Sequence, residues 1–132
     1  MANEINQHDA EGRKTGWWEE HFTDGKVSAE GEYKEGKKVG HWKIYFRNGL
    51  VRAEGDYTDD VMTGEWIWHR ESGQLMQTGS FDNGEQHGVW TRYQANGELY
   101  DVGPYDHGEK TGEWKTYRPD GTLKSTKSHL RA

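Results

Sequence analysis

Residues 40–49, GHWKIYFRNG, set the pattern of the whole chain. The Gly-x-Trp element that opens this stretch returns every 24 residues, and its five copies begin at Gly16, Gly40, Gly64, Gly88 and Gly112. A repeat of this length is typical of proteins that stack small structural units side by side. The period therefore decides the fold more firmly than the composition does.

Each unit can be numbered from its first glycine, taken as column 0. Column 2 is always Trp, column 9 is always Gly, and column 11 is always Val or Leu. Columns 15 and 17 hold a glycine and an aromatic residue in the first four units. All 18 glycines of the chain fall in columns 0, 9, 15 and 20, so the recurring residues serve the fold.

Turn signals divide every unit into two strands. Asn48-Gly49 and its equivalents predict a hairpin turn, because Asn, Asp and Gly tolerate positive φ. Glu35-Gly36 and its equivalents predict a second turn between units. The intervening segments are rich in aromatic and β-branched residues, which favour strands. The sequence thus predicts an all-β fold, an elongated single-layer antiparallel sheet of tandem β-hairpins in five units.

Alternation along a strand predicts which side chains share a face. Columns 11, 15 and 17 have the same parity and are expected on one face. The Trp of column 2 is expected to cover the bare backbone of a column-15 glycine on a neighbouring strand. We assign residues 12–123 to the repeat domain, 1–11 to an N-terminal extension or cap, and 124–132 to a C-terminal cap or tail.

The composition restricts the classes of function. The 132-residue chain has no cysteine, which excludes disulfides. Its apolar runs are shorter than the roughly 18 residues of a membrane span, and its first residues lack the features of a signal peptide, so a cytoplasmic location is expected. A net charge of -6 disfavours nucleic acid and anionic lipid as partners and favours a basic protein.

Unit two resembles a MORN-type repeat, and more closely the bacterial variant found in YwqK-family antitoxins. The resemblance runs from Gly12 to about Leu123, with departures at Asp60, His21 and His69. It implies a row of β-hairpins without catalytic residues or a cofactor, and a role in binding proteins, membranes or toxins. The residues that carry it are Gly40, Trp42, Tyr45, Asn48, Gly49, Gly55 and Tyr57.

Function in a repeat protein is expected where the units differ. Four acidic residues of columns 14 and 16, the carboxylate patch, are predicted to lie opposite the column-15 glycines. They suit a basic partner, although a solvated face without function is the alternative. The carboxylate patch consists of Glu30, Glu32, Glu54 and Asp56.

Extra apolar residues accumulate around unit three, and the repeat does not require them. Trp68 stands in a column that holds Glu20, Ile44, Arg92 and Thr116 elsewhere. Aromatic residues and Met are enriched at protein interfaces, so these side chains are candidate anchors; packing within the sheet is the alternative for Trp68. The anchors are Trp68, Met62, Ile67 and Met76.

No enzyme, cofactor or metal site is predicted. The serines lack a nucleophile elbow, and no pair of carboxylates is isolated in apolar surroundings. His41, His69, His87 and His107 fall in four different columns, without the spacing of a ligand set.

The leading hypothesis is a non-catalytic protein-binding module, an antitoxin or immunity-type protein that neutralises a basic-surfaced toxin. The first alternative is a structural scaffold that assembles as a homodimer through an exposed sheet edge. The second is lipid binding, which the net charge disfavours.

Overall fold

The computed structural model describes residues 4–129, which form one open antiparallel sheet of twelve strands and no helix. Each strand from β1 to β9 lies beside the next in chain order, and β11 lies between β9 and β12, while the short β10 also pairs with β9. The predicted all-β sheet of tandem hairpins is confirmed. The strands are β1 (Gln7–His8), β2 (Lys14–His21), β3 (Val27–Lys34), β4 (Lys37–Tyr45), β5 (Val51–Thr58), β6 (Val61–His69), β7 (Leu75–Asp82), β8 (Glu85–Tyr93), β9 (Leu99–Asp106), β10 (Glu109–Lys110), β11 (Gly112–Tyr117) and β12 (Leu123–His129).

The turn inside each unit is a three-residue loop. In unit two the Phe46 N–H donates to the Leu50 carbonyl at 2.9 Å, and the Gly49 N–H donates back to the Phe46 carbonyl at 3.0 Å. Only the glycine has positive φ, at 89°, while the Asn48 side chain accepts the Leu50 N–H at 2.9 Å. This is a type I turn closed by a left-handed glycine, which explains the invariant Gly of column 9.

The turn between units is a two-residue turn in which both central residues have positive φ. Glu35 and Gly36 have φ values of 52° and 80°. Asp60 takes the glycine place with φ 70°, and its carboxylate accepts the Lys38 N–H at 2.7 Å. Such turns match the twist of the flanking strands, and they pair the last strand of one unit antiparallel with the first strand of the next.

The column-2 tryptophans of units two to five form the core, and each covers a glycine of the preceding unit. Trp42 is fully buried, and a Cβ added at Gly31 would lie 2.2 Å from its indole ring. Its Nε1–H donates to the Glu32 carbonyl at 3.1 Å. The same contact joins Trp66 to Gly55, Trp90 to Gly79 and Trp114 to Gly103. The predicted cover is confirmed, and its direction is towards the preceding unit.

The rings of columns 2 and 17 alternate in a continuous edge-to-face row on this aromatic face. Tyr33 and Trp42 have centroids 5.1 Å apart, and Tyr57 and Trp66 are 5.2 Å apart, with interplanar angles near 90° in both pairs. The Lys38 ammonium lies 5.0 Å from the Trp42 ring centroid. Edge-to-face rings and an overlying cation add to the stabilisation from burial.

The predicted place of column 11 is wrong. Tyr45 pairs with Val51 but Ile44 pairs with Ala53, so Arg52 is an extra residue in β5. This β-bulge returns in the other units and reverses the alternation after column 11. Val51 therefore lies on the same face as Tyr45, which is the carboxylate face that bears the carboxylate patch.

Candidate functional site

The predicted anchors divide between the two faces of the sheet. Met62 pairs with Tyr57 and lies on the aromatic face, where Trp68 and Met76 share a groove. Ile67 pairs with Glu54 and Thr78, so it lies on the carboxylate face. Because the sheet is a single layer, a partner on one side contacts only one of these two sets.

Trp68 packs within the aromatic row and is still half-buried rather than enclosed. Its ring centroid lies 5.4 Å from Trp90, 6.0 Å from Trp66 and 6.1 Å from Phe81. One side of the Trp68 ring therefore packs within the sheet, which is the alternative that the sequence left open. The other side borders an open groove, so the residue is held rigidly while part of it stays accessible.

The Trp68 groove has a volume of about 540 Å³ and a mainly apolar lining that also includes charged residues. Arg52 lies 5.6 Å from the Phe46 ring centroid, and the Arg70 Nη2 donates to the Tyr93 carbonyl at 2.9 Å. Apolar walls with a few polar groups are typical of surfaces that bind another molecule. The lining residues are Ile44, Phe46, Arg52, Ala53, Trp68, His69, Arg70, Glu71 and Met76.

The carboxylate patch is compensated from within. The His41 ring contacts the Asp56 carboxylate through Nδ1 and the Glu54 carboxylate through Nε2, both at 2.9 Å. The hydrogen bond to Glu54, followed by that to Asp56, raises the pKa of His41 above its ordinary value. The Tyr45 hydroxyl donates to Glu30 at 2.9 Å, and burial together with this bond raises the pKa of Tyr45 to about 12. These bonds already engage Glu30, Glu54 and Asp56, so fewer of their carboxylate oxygens are available to a basic partner.

Four titratable side chains from β7, β8, β9 and the turn after β9 form a histidine cluster: Asp82, His87, Asp106 and His107. His107 contacts Asp106 at 2.7 Å through Nδ1 and Asp82 at 3.0 Å through Nε2. The bond to Asp106, followed by that to Asp82, raises the pKa of His107. The rings of His87 and His107 have centroids 4.6 Å apart.

The register explains why two different columns meet in this cluster. Gly88 of β8 pairs with Tyr105 of β9, which brings His87 beside Asp106 at the same end of the hairpin. The Nδ1 of His87 lies 3.8 Å from the Asp106 carboxylate. The sequence could have revealed the cluster if Gly88 had been paired with Tyr105, because the residue before Gly88 then lies beside the residue after Tyr105. Column identity alone concealed it.

The family comparison identifies the repeat in the second half of the chain. The family model for the MORN repeat variant matches residues 62–83, 86–107 and 110–129. No curated protein gives a significant match. Among residues 4–129 no helix is long and apolar enough to cross a membrane.

This chain is similar to part of a solved structure, the crystal structure of the GtfA/B complex bound to UDP and GlcNAc. The match has 14% identity and a TM-score of 0.39, and it covers 70% of this chain but only 23% of that one. It carries no argument about function. The three tandem matches and the hairpin order of the sheet show that residues 62–129 are built from MORN repeats of the variant type.

Proposed function

We propose that this protein is a non-catalytic protein-binding module that docks its partner in the Trp68 groove. The observation that carries the proposal is the position of Trp68. It is a large ring in a column that elsewhere holds Glu20, Ile44, Arg92 and Thr116, so the repeat does not require it. It is held by neighbouring rings and borders a mainly apolar groove. Rigid, half-exposed aromatic residues are common binding hot spots.

Three other surfaces are weaker candidates. The carboxylate patch already bonds His41 and Tyr45. Strand β1, at one edge of the described sheet, has two residues, and β12, at the other, carries Lys124 and Lys127. Short edges and edge lysines are devices that oppose strand pairing. The Trp68 groove therefore ranks above edge-to-edge assembly, and the net charge of -6 places lipid binding last.

The more specific form of the proposal is that the partner is a protein toxin, which the module neutralises by covering its active cleft. The resemblance of unit two to YwqK-family antitoxins motivates it. The net charge of -6 supports it, because an acidic module attracts a basic partner and accelerates their encounter. In this form the net negative charge of the chain steers the encounter, while Trp68 supplies the lasting contact.

The test compares partner binding by the wild type and two variants. A partner is captured from the native cell and purified, and its affinity is measured by calorimetry. Trp68→Thr, which installs the column-4 residue of unit five, is expected to weaken binding by about 2 kcal/mol or more, or roughly thirtyfold. Glu54→Gln with Asp56→Asn, on the opposite face, is the matched control and should change the affinity far less, because neither side chain lines the groove.

Equal affinities of the wild type and Trp68→Thr, with circular dichroism confirming both folds, would remove the groove from the proposal. The toxin hypothesis has its own readout. The purified partner should arrest growth when expressed alone, and co-expression of the wild-type chain should restore growth. A partner that has no effect on growth would leave the binding module standing and remove the antitoxin role.

A further inference from the structure

We propose that His87, Asp106 and His107 form a binding site for a divalent transition-metal ion of the zinc type, with Asp82 orienting His107. This site lies where β8 begins and β9 ends, beside the turns between units, and does not depend on the Trp68 groove. It is also absent from the sequence-based expectations, which predicted no metal site. The geometry, the chemistry of the donors and the comparison between units each support it.

The donor atoms already lie close together. One ligand atom from each of His87, Asp106 and His107 falls within 4.8 Å of the other two. The Asp106 carboxylate is 2.7 Å from His107 Nδ1 and 3.8 Å from His87 Nδ1. Ligands on a tetrahedral ion with metal–nitrogen distances of about 2.0 Å are roughly 3.3 Å apart. Small side-chain rotations would therefore bring the three donors around one ion.

Asp82 supplies the contact that fixes the orientation of His107. Its carboxylate lies 3.0 Å from His107 Nε2, on the far side of the ring from Asp106. A carboxylate that accepts one ring N–H leaves the other nitrogen as a lone-pair donor, and this arrangement is common behind metal-ligating histidines. Asp82 is thus a positioning residue, while Nδ1 of His107 faces the ion.

The set of donors favours imidazole-binding metals. Two imidazoles and one carboxylate suit Zn²⁺ and its neighbours better than Mg²⁺ or Ca²⁺, which prefer oxygen ligands. The side chains of His87 and His107 are 46% and 53% exposed, so an ion can reach them and keep a water as its fourth ligand. The His41 group offers a contrast, since a single imidazole there meets two carboxylates.

The repeat does not require the cluster. The column of His87 holds Thr15, Val39, Thr63 and Thr111 in other units, and the column of His107 holds Glu35, Asp59 and Asn83. The turn residue His107 has φ 46°, a conformation that Asn83 adopts at the equivalent place with φ 50°. The other units thus provide substitutions that keep the local backbone and remove only the donor atoms.

The test titrates Zn²⁺ into the chelator-treated full chain by calorimetry. The wild type should bind one ion, and His87→Thr or His107→Asn should each weaken binding at least tenfold. Asp82→Thr, after Thr58 of unit two, should weaken it tenfold to a hundredfold at unchanged stoichiometry. His41→Val, with the column-1 residue of unit four, is the matched histidine control and should leave the affinity unchanged.

The ring resonances of the histidines provide a readout independent of affinity. In long-range proton–nitrogen correlation spectra of the histidine rings, Zn²⁺ should shift the signals of His87 and His107 and leave that of His41 in place. The proposal is overturned if the double variant His87→Thr/His107→Asn, folded by circular dichroism, binds Zn²⁺ as tightly as the wild type. It is equally overturned if the bound ion shifts other histidines instead of these two.

Discussion

Units one and two have the same plan but different neighbours. Trp42 of unit two is fully buried over Gly31 of unit one. Trp18 holds the equivalent place in unit one and is only half-buried. The strand before it, β1, has two residues, and these offer His8 at 5.3 Å and the Gln7 carbonyl, which accepts the Trp18 Nε1–H at 3.0 Å. Strand β1 thus gives Trp18 a backbone acceptor like the one Trp42 has in Glu32, but it has no glycine for Trp18 to cover.

The difference shows that each core tryptophan is buried by the unit before it. A glycine of column 15 serves the tryptophan of the next unit rather than its own. The last described strand agrees with this, because Lys127 occupies the glycine column in β12, pairs with Trp114 and is exposed. Stability is then a sum over interfaces between neighbouring units, as in other linear repeat proteins.

The largest expected effect tests this directly with Trp42→Ala and Trp18→Ala. Trp42→Ala leaves a cavity over Gly31 in the closed part of the row and should lower the free energy of unfolding by about 3–5 kcal/mol. Trp18→Ala removes a ring that water already reaches, so the loss should be less than half as large. Urea unfolding followed by circular dichroism measures both, and equal losses would contradict the interface account.

A smaller effect is expected where a side chain replaces the covered glycine. In Gly31→Ala the new Cβ would lie 2.2 Å from the Trp42 indole, so the ring must move, at a cost of about 1–3 kcal/mol. Lys127→Gly makes the reverse change at the uncovered position and should cost only about 0.5–1 kcal/mol from added chain entropy. Thermal melts of the two variants give the ranking, and a Gly31→Ala protein as stable as the wild type would refute the close contact.

The fold was predictable because its requirements recur. Gly49 and its equivalents mark the loops, and the spacing of Trp42 from Gly31 fixes which residues meet. The face of Val51 was not predictable from parity, because a β-bulge at Arg52 inserts one residue between columns 11 and 13. A bulge of this kind leaves no mark in the repeat itself, since every unit contains it.

The candidate site was predictable only in part, because it depends on what does not recur. The excess apolar character of Trp68 was visible in its column, and the structure adds that Met76 shares its groove while Ile67 lies on the other face. The meeting of His87 and His107 requires the pairing of β8 with β9 at single-residue accuracy. Column differences find unusual residues, but register decides which of them act together.

The smallest expected effect concerns the carboxylate faces of units one and two. Column 1 is Trp17 in unit one and His41 in unit two, and both face acidic residues of columns 14 and 16. Of these two column-1 residues, only His41 has a side chain that can gain a proton. Its bonds to Glu54 and then Asp56 raise its pKa above the ordinary 6.5, so protonated His41 stabilises the folded chain.

The sign of the pH dependence follows from the raised pKa. The stabilisation by His41 is fully present below pH 6.5 and is lost as the pH rises through the folded-state pKa. Because the side chain is 54% exposed, the contribution should stay below about 1 kcal/mol. The unfolding free energy of the wild type minus that of His41→Val should therefore fall between pH 5.5 and 8.5, whereas Trp17→Val should give a flat difference. A flat His41 difference would mean that Glu54 and Asp56 hold the neutral ring as well as the charged one, and the two units would then differ in their core alone.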